Sequence, residues 1–320
     1  MLPYCTPNGS LSLDPNGTDA VGQGEEDFAR HFGLLYVVLG FIFFPVCAFV
    51  LSVLCRPPLI QHSCYKLMTL SSALDVLSLV NSTIIPGTFS IFNIHHCNSG
   101  MWVTYVVQQG MFFWLMYSAT SMVLALNRML EFANKKMAIF LFEGRKVYIW
   151  FGVTVAYATF GTLIVPDKFY FYHTYNGYFA LYRLSGKFNV VLTVNNIFKF
   201  VFLTGAYSLM LFFLHRVLKE NGSRRITPLQ VKVSIQAFAI AMLADLTIIA
   251  YIILLNVPLT PKTAKYAGVI GELIWASLHA GSGVIYMIMN NAVRRKLRAA
   301  FCMDVKISPL SEFTIETRNS

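Results

Sequence analysis

The sequence predicts an all-α membrane protein: a seven-transmembrane helix bundle with its N-terminus outside and a short amphipathic helix after the seventh span. Three observations predict it. The 320 residues are 56% hydrophobic and only 12% charged, too little charge to cover a domain that folds in water. Seven stretches each supply the roughly 20 apolar residues that cross a hydrocarbon core about 30 Å thick. The lysines and arginines are divided unevenly between the segments that join them.

In chain order the spans are 32–54, without charge; 67–94, interrupted only by Asp75; 101–127 and 147–165, both uncharged; 190–214, carrying Lys199; 233–256, carrying Asp245; and 266–290, carrying Glu272. Short polar segments separate them and no internal repeat is visible, so one bundle over 31–290 is expected. With the N-terminus outside, the cytoplasmic segments hold eighteen Lys and Arg and the outer ones six, which is the bias that sets orientation. Residues 1–30 then form an extracellular tail, and Asn8-Gly-Ser10 and Asn16-Gly-Thr18 in it are N-glycosylation sequons. The sequons at Asn81 and Asn221 fall in a span and a cytoplasmic loop and are not expected to carry sugar. Residues 291–302 place Arg294, Arg295 and Arg298 around an apolar face, the pattern of a helix lying on the inner leaflet against membrane lipid. A cytoplasmic tail, 303–320, follows.

Several classes are excluded or disfavoured. The net charge of +10 sits at the ends of apolar spans and does not signal nucleic acid. The six cysteines show no C-x-x-C pair and no His/Cys cluster, so no metal and no cofactor is implied. Phosphate-cradling loops, G-x-S-x-G and H-E-x-x-H are missing, and no enzyme is predicted. Cys5 and Cys97 are the two cysteines outside the membrane, in an oxidising compartment, and either bond to each other or pair with another chain. Cys302 ends the amphipathic helix as a palmitoylation candidate or a free thiol.

Polar residues inside spans are expensive in lipid and face the bundle interior. On the third span Gly110, Trp114, Tyr117, Ser121, Leu124 and Arg128 share one helical face; on the second, Ser71, Asp75, Ser78 and Ser82; on the seventh, Glu272, Trp275, His279, Ser282 and Tyr286. The serines read as helix-packing groups. Asp75, Arg128 and Glu272 are costly enough at that depth to signal a role.

The order of these residues resembles rhodopsin-like receptors. Arg128 ends the third span, Asp75 lies in the second, Trp150 opens the fourth, and Ser282-Gly-Val-Ile-Tyr286 precedes a basic helix. A closer likeness lies in the first inner loop. Arg56-Pro57 and His62-Ser-Cys-Tyr-Lys-Leu-Met68 leading to Asp75, with Leu126-Asn-Arg128, look like the nematode serpentine receptor class T family over roughly 31–300. The resemblance implies a G-protein-coupled chemosensory receptor in the plasma membrane, in sensory neurons, with a heterotrimeric G protein and a small-molecule ligand as partners. Asp75, Arg128, His279, Ser282 and Tyr286 would carry the signal.

Four departures stand out. Asn127 replaces the acid before the arginine, Met129 the tyrosine after it, and Ser-Gly the Asn-Pro of the seventh helix. No cysteine lies between Pro166 and Asn189 to tie the outer loop to the third helix. Gly110, Met111, Trp114, Lys199, Glu272 and Trp275 are the candidate ligand-binding residues, with Gly110 leaving room or permitting close helix packing. Lys199 and Glu272 are expected to pair with each other or with a charged ligand group. The aromatic run Phe169 to Tyr182 is either a lid or an interfacial belt. The competing class is a transporter or ion channel whose path Asp75, Lys199, Asp245 and Glu272 would line; its paired repeats and broken helices are not seen here.

Overall fold

The structure is a computed structural model that describes residues 4–5, 11–12, 23–165, 168–183, 189–221, 228–256 and 261–300. Among them, six helices are long and apolar enough to cross a membrane, and Val147–Leu163 is a shorter apolar one. The first span, α1 (Gln23–Leu54), starts well before its apolar stretch because Glu25 and Glu26 occupy its first turn, where the helix dipole favours anions.

The second span is broken into α2 (Ser63–Leu79), a π-turn (Val80–Ile84) and α3 (Ile85–Ile91). The sequence predicts a single span over 67–94 here, and the structure divides it. Pro86 lacks an N–H and its ring crowds the carbonyl one turn back, so the ladder widens before it. Side chains serve the carbonyls of that turn: Asn81 Nδ2 donates to Leu77 O at 2.9 Å, and Thr83 Oγ1 and Ser82 Oγ donate to Leu79 O. Asn81 is thereby buried inside the bundle, out of reach of a glycosyl donor.

A single turn, α4 (His96–Ser99), leads into α5 (Trp102–Ala133), the third span. It runs past 127, so Arg128 lies inside the helix instead of at its end. An unexpected short helix, α6 (Lys135–Phe142), follows, with Asn134 capping it by accepting from the Met137 N–H at 3.2 Å. Next come α7 (Val147–Leu163), an antiparallel hairpin of β1 (Lys168–His173) and β2 (Tyr178–Arg183), then α8 (Val190–Asn221), α9 (Pro228–Asn256) and α10 (Pro261–Met289). The short amphipathic helix is α11 (Asn291–Ala300), whose Val293 is fully buried while Arg294, Arg295 and Arg298 stay exposed. Seven helices thus form one bundle, and α5 packs against α2, α7 and α8 at its centre.

Three apolar clusters stack along the bundle. Leu54, Leu67, Met68, Leu124, Phe142, Tyr286 and Val293 fill the end nearest α11. Leu74, Trp114, Tyr117, Leu203, Tyr207 and Trp275 fill the middle. Phe89, Val103, Met111, Leu115, Tyr170 and Tyr172 fill the end under the hairpin. Phe41, Phe160, Val201, Phe212 and Leu246 point outward and are exposed, as side chains solvated by lipid should be. The His62–Met68 string has a structural use: Cys64, Tyr65, Leu67 and Met68 are core residues, and Lys66 Nζ donates to Gly144 O at 3.0 Å, joining the start of α2 to the turn between α6 and α7.

Candidate functional site

All three polar stripes face inward. Ser71, Asp75, Ser78 and Ser82, then Gly110, Trp114, Tyr117 and Arg128, then Glu272, Trp275, His279, Ser282 and Tyr286 are buried, and Ser121 is half-buried. Helical periodicity alone put them there, since each step of three or four residues returns to the same face.

The stripes form a column of contacts. At its hairpin end Phe179 meets Trp275 edge-on, ring centres 6.1 Å apart. Trp275 meets Trp114 at 6.5 Å and His279 at 6.3 Å. His279 lies edge-on to Tyr117 at 5.0 Å, and its Nδ1–H donates to Asp75 Oδ1 at 2.8 Å. Trp114 Nε1 donates to Asn196 Oδ1 at 2.9 Å, and Asn195 Nδ2 to Ser118 Oγ at 3.2 Å, which fixes α5 against α8. Sequence reasoning missed Asn195 and Asn196, although adjacent amides inside an apolar span were a usable signal.

Lys199 and Glu272 do not pair with each other. Lys199 is fully buried with Nζ 4.4 Å from the Trp114 ring centre and 4.6 Å from that of Tyr117. This cation–π seat replaces a carboxylate contact, and Asp75 and Asp245 lie within electrostatic reach. Glu272 receives the Phe179 backbone N–H, while its Oε1 has no hydrogen-bond partner. Asp245 accepts from Thr204 Oγ1 at 3.1 Å. At Gly110 a Cβ would lie 3.6 Å from Trp275 Cη2 and 3.9 Å from Asn81 Oδ1, so this glycine leaves room and is not a point of tight helix contact. Met111 packs in the cluster beneath the hairpin with Leu115 and Tyr170.

The aromatic run between the fourth and fifth spans is the hairpin itself. Tyr170, Phe171, Tyr172 and His173 are buried, so it is a plug in the bundle mouth and not a belt in the interface. Tyr172 shares a hydrogen bond with Ser90 Oγ at 2.8 Å, Asn189 Nδ2 donates to the Tyr170 hydroxyl at 3.0 Å, and the Tyr36 hydroxyl donates to Gly177 O at 2.9 Å. Gly177 takes φ +65° in the tight turn, a conformation glycine adopts without strain. Burial pushes the His173 imidazole down to about 4, so it stays neutral and Nδ1 accepts from the Asn176 N–H at 3.3 Å. Hydrogen bonds and ring packing thus anchor a loop that has no cysteine.

The bundle's cysteine bridge lies elsewhere: Cys5 is bonded to Cys97, across 92 residues of sequence. It ties the start of the chain to α4. Peptide mapping of surface receptor without reductant should recover the Cys5–Cys97 pair, and Cys97→Ser should lower stability by about 2–4 kcal/mol. Two free thiols in the mapping would refute it. Asn8, Asn16 and Cys302 lie outside the described residues.

At the α11 end, Arg128 is buried. Its Nε and Nη2 donate to Asn127 Oδ1 at 3.3 and 2.8 Å, and it forms an ion pair with Glu131 one turn on. Glu131 Oε1 also accepts from Gln230 Nε2 on α9 at 2.9 Å. The carboxylate that seemed missing beside Arg128 is therefore supplied by Glu131, a residue the sequence reading did not select. Trp150 Nε1 donates to Leu141 O at 3.1 Å and its ring stacks on Phe142, fastening α6 to α7.

The crystal structure of squid rhodopsin shares this fold, with a TM-score of 0.72 over 91% of this chain and 90% of that one at 11% identity. No curated protein matches the chain. The buried polar stripes on the second, third and seventh spans thus lie in a seven-helix membrane bundle, and the family match makes it a receptor of the G-protein-coupled type. The chain belongs to the family described as serpentine type 7TM GPCR chemoreceptor Srt, whose model matches residues 19–308.

Proposed function

We propose that the protein is a chemosensory receptor of the plasma membrane of sensory neurons that passes the binding of a small ligand to a heterotrimeric G protein. The observation that carries this reading is the buried column from Phe179 and Glu272 under the hairpin, through Trp275, His279 and Asp75, toward Tyr286 and Arg128. A ligand that displaces the upper aromatic rings changes what His279 and α10 pack against, and a helix pair with two packings is the element that a ligand biases. Gly110, Trp114, Lys199, Glu272 and Trp275 form the pocket wall, Met111 supports it, and Asp75, His279, Ser282, Tyr286 and Arg128 carry the change to the G-protein face. The N-terminus is outside, Asn8 and Asn16 carry sugar, and α11 rests on the anionic inner leaflet through its arginines, with Cys302 beyond it for a lipid.

Epitope tags at both ends and a second-messenger assay run beside an ion-flux assay test this reading together. The N-terminal tag is expected to stain without permeabilisation and the C-terminal tag only after it. Second-messenger changes are expected without current. An N-terminal tag hidden in surface receptor, or current without any G-protein signal, refutes it.

A further inference from the structure

Among the described residues, Lys199 Nζ, Asp245 Oδ1 and Glu272 Oε1 are buried ionisable atoms without a hydrogen-bond partner, but Lys199 and Asp245 lie within electrostatic reach of each other and only Glu272 has no opposite charge beside it. Asp75 has His279, Lys199 has two aromatic faces and two nearby carboxylates, and Asp245 has Thr204. Glu272 is 3% exposed, and Oε1 has no hydrogen-bond partner. Among the described residues no Lys, Arg or His forms an ion pair with it. An unpaired carboxylate in a dry interior is expensive, and such a group persists when something outside the chain completes it.

The surroundings say what completes it. The rings of Trp275, Phe179 and Tyr172 follow one another at 6.1 and 5.0 Å between centres. The phenols of Tyr36, Tyr172 and Tyr251 are within electrostatic reach of the carboxylate. Several aromatic faces beside one anion make the chemistry that binds an organic cation, because ring quadrupoles and a carboxylate both attract positive charge in a water-poor site. Lys199 Nζ also lacks a hydrogen-bond partner, but the Trp114 and Tyr117 rings and the Asp75 and Asp245 carboxylates already attend its charge, which leaves Glu272 as the group that needs an outside counter-ion. Trp275 Nε1 and Asn81 Oδ1 are also without partners, and both residues border Gly110, where a Cβ would lie 3.6 Å from Trp275 Cη2 and 3.9 Å from Asn81 Oδ1.

Building on the pocket assigned under the proposed function, we propose that the ligand bears an ammonium group, that Glu272 is its counter-ion, and that Tyr172, Phe179 and Trp275 cage it. The unpaired indole N–H and amide oxygen then accommodate a hydroxyl or carbonyl elsewhere on the ligand.

The test uses purified full-length receptor in detergent, without G protein, and reads thermal stabilisation by phenethylammonium, isopentylammonium and choline. The alcohols of the first two skeletons, and phenylacetate, serve as controls. At least one ammonium compound is expected to raise Tm at concentrations where the alcohols and the acid do not. Glu272→Gln should weaken that binding at least about tenfold, and Glu272→Asp, which keeps the charge, should retain part of it. Without ligand, Glu272→Gln should melt no lower than the parent, because it removes an unpaired buried charge, so lost binding is not lost folding. The proposal is overturned if no ammonium compound stabilises the receptor, if the alcohols do so equally, or if Glu272→Gln binds as the parent does. Because no G protein is present, failure of coupling and failure of the ligand class are read separately.

Discussion

Arg128→Ala is expected to reduce agonist-driven signalling by roughly tenfold or more at matched surface expression, the scale of an allosteric coupling lost between two sites. Arg128 is the buried cation of a cluster that crosses from α5 to α9: it binds Asn127 and Glu131, and Glu131 takes a hydrogen bond from Gln230. In this arrangement Glu131 stabilises the packing of the two helices at the α11 end, and an opening there must break the cluster. Glu131→Gln keeps the shape and removes the charge. It should raise basal activity by about fivefold, because a partly buried pair of this kind is worth on the order of 1 kcal/mol. Asn127→Asp adds a second anion beside the guanidinium and should lower basal activity. A second-messenger assay across these variants decides the matter. Normal signalling by Arg128→Ala would make the residue a helix anchor, and unchanged basal activity in Glu131→Gln would remove the resting lock.

His279→Ala should be the most destabilising change in the column, by about 3–5 kcal/mol, since it strands Asp75 with no partner in the interior. Both side chains are almost wholly buried and 2.8 Å apart, 204 residues apart in sequence, so the pair holds the second span to the seventh. Asp75→Asn removes the charge together with the need for its partner and should be much milder. His279→Ala in the Asp75→Asn background should then cost far less than in the parent, a non-additivity that a double-mutant cycle measures. Thermal unfolding of detergent-purified receptor gives the four values. Equal losses from His279→Ala in both backgrounds would show that the two side chains are neighbours without being coupled.

The seven spans, their order and the inward faces of the second, third and seventh were legible from the sequence. Hydrocarbon demands some 20 apolar residues per crossing, and polar groups such as Asp75, Glu272 and His279 can sit only on the side away from lipid. These are local rules, and a periodicity of 3.6 residues carries them. The family was legible as well, in the His62–Met68 string and in the layout around Asp75 and Arg128. Pro86 was visible in the sequence, but the π-turn it induces depends on which carbonyls Asn81, Ser82 and Thr83 could reach.

Most partnerships were decided by the tertiary structure; Arg128 with Glu131, three residues on along one helix, is a local pair. Lys199 and Glu272 looked like a pair because both were unpaired charges. The packing of α5 against α8 slid Trp114 and Tyr117 under the ammonium, and the hairpin brought the Phe179 N–H to the carboxylate. Arg128 has no acid at the position before it, where Asn127 stands. One further turn of α5 past the apolar stretch brought Glu131 into place, and α9 supplied Gln230. The aromatic run was compatible with a belt or a lid until pairing of β1 with β2 turned Tyr170 and Tyr172 into the bundle mouth. A sequence states which groups must avoid lipid; which of them meet is fixed by how far each helix runs and how it rotates against its neighbours, and those distances span tens to hundreds of residues of chain.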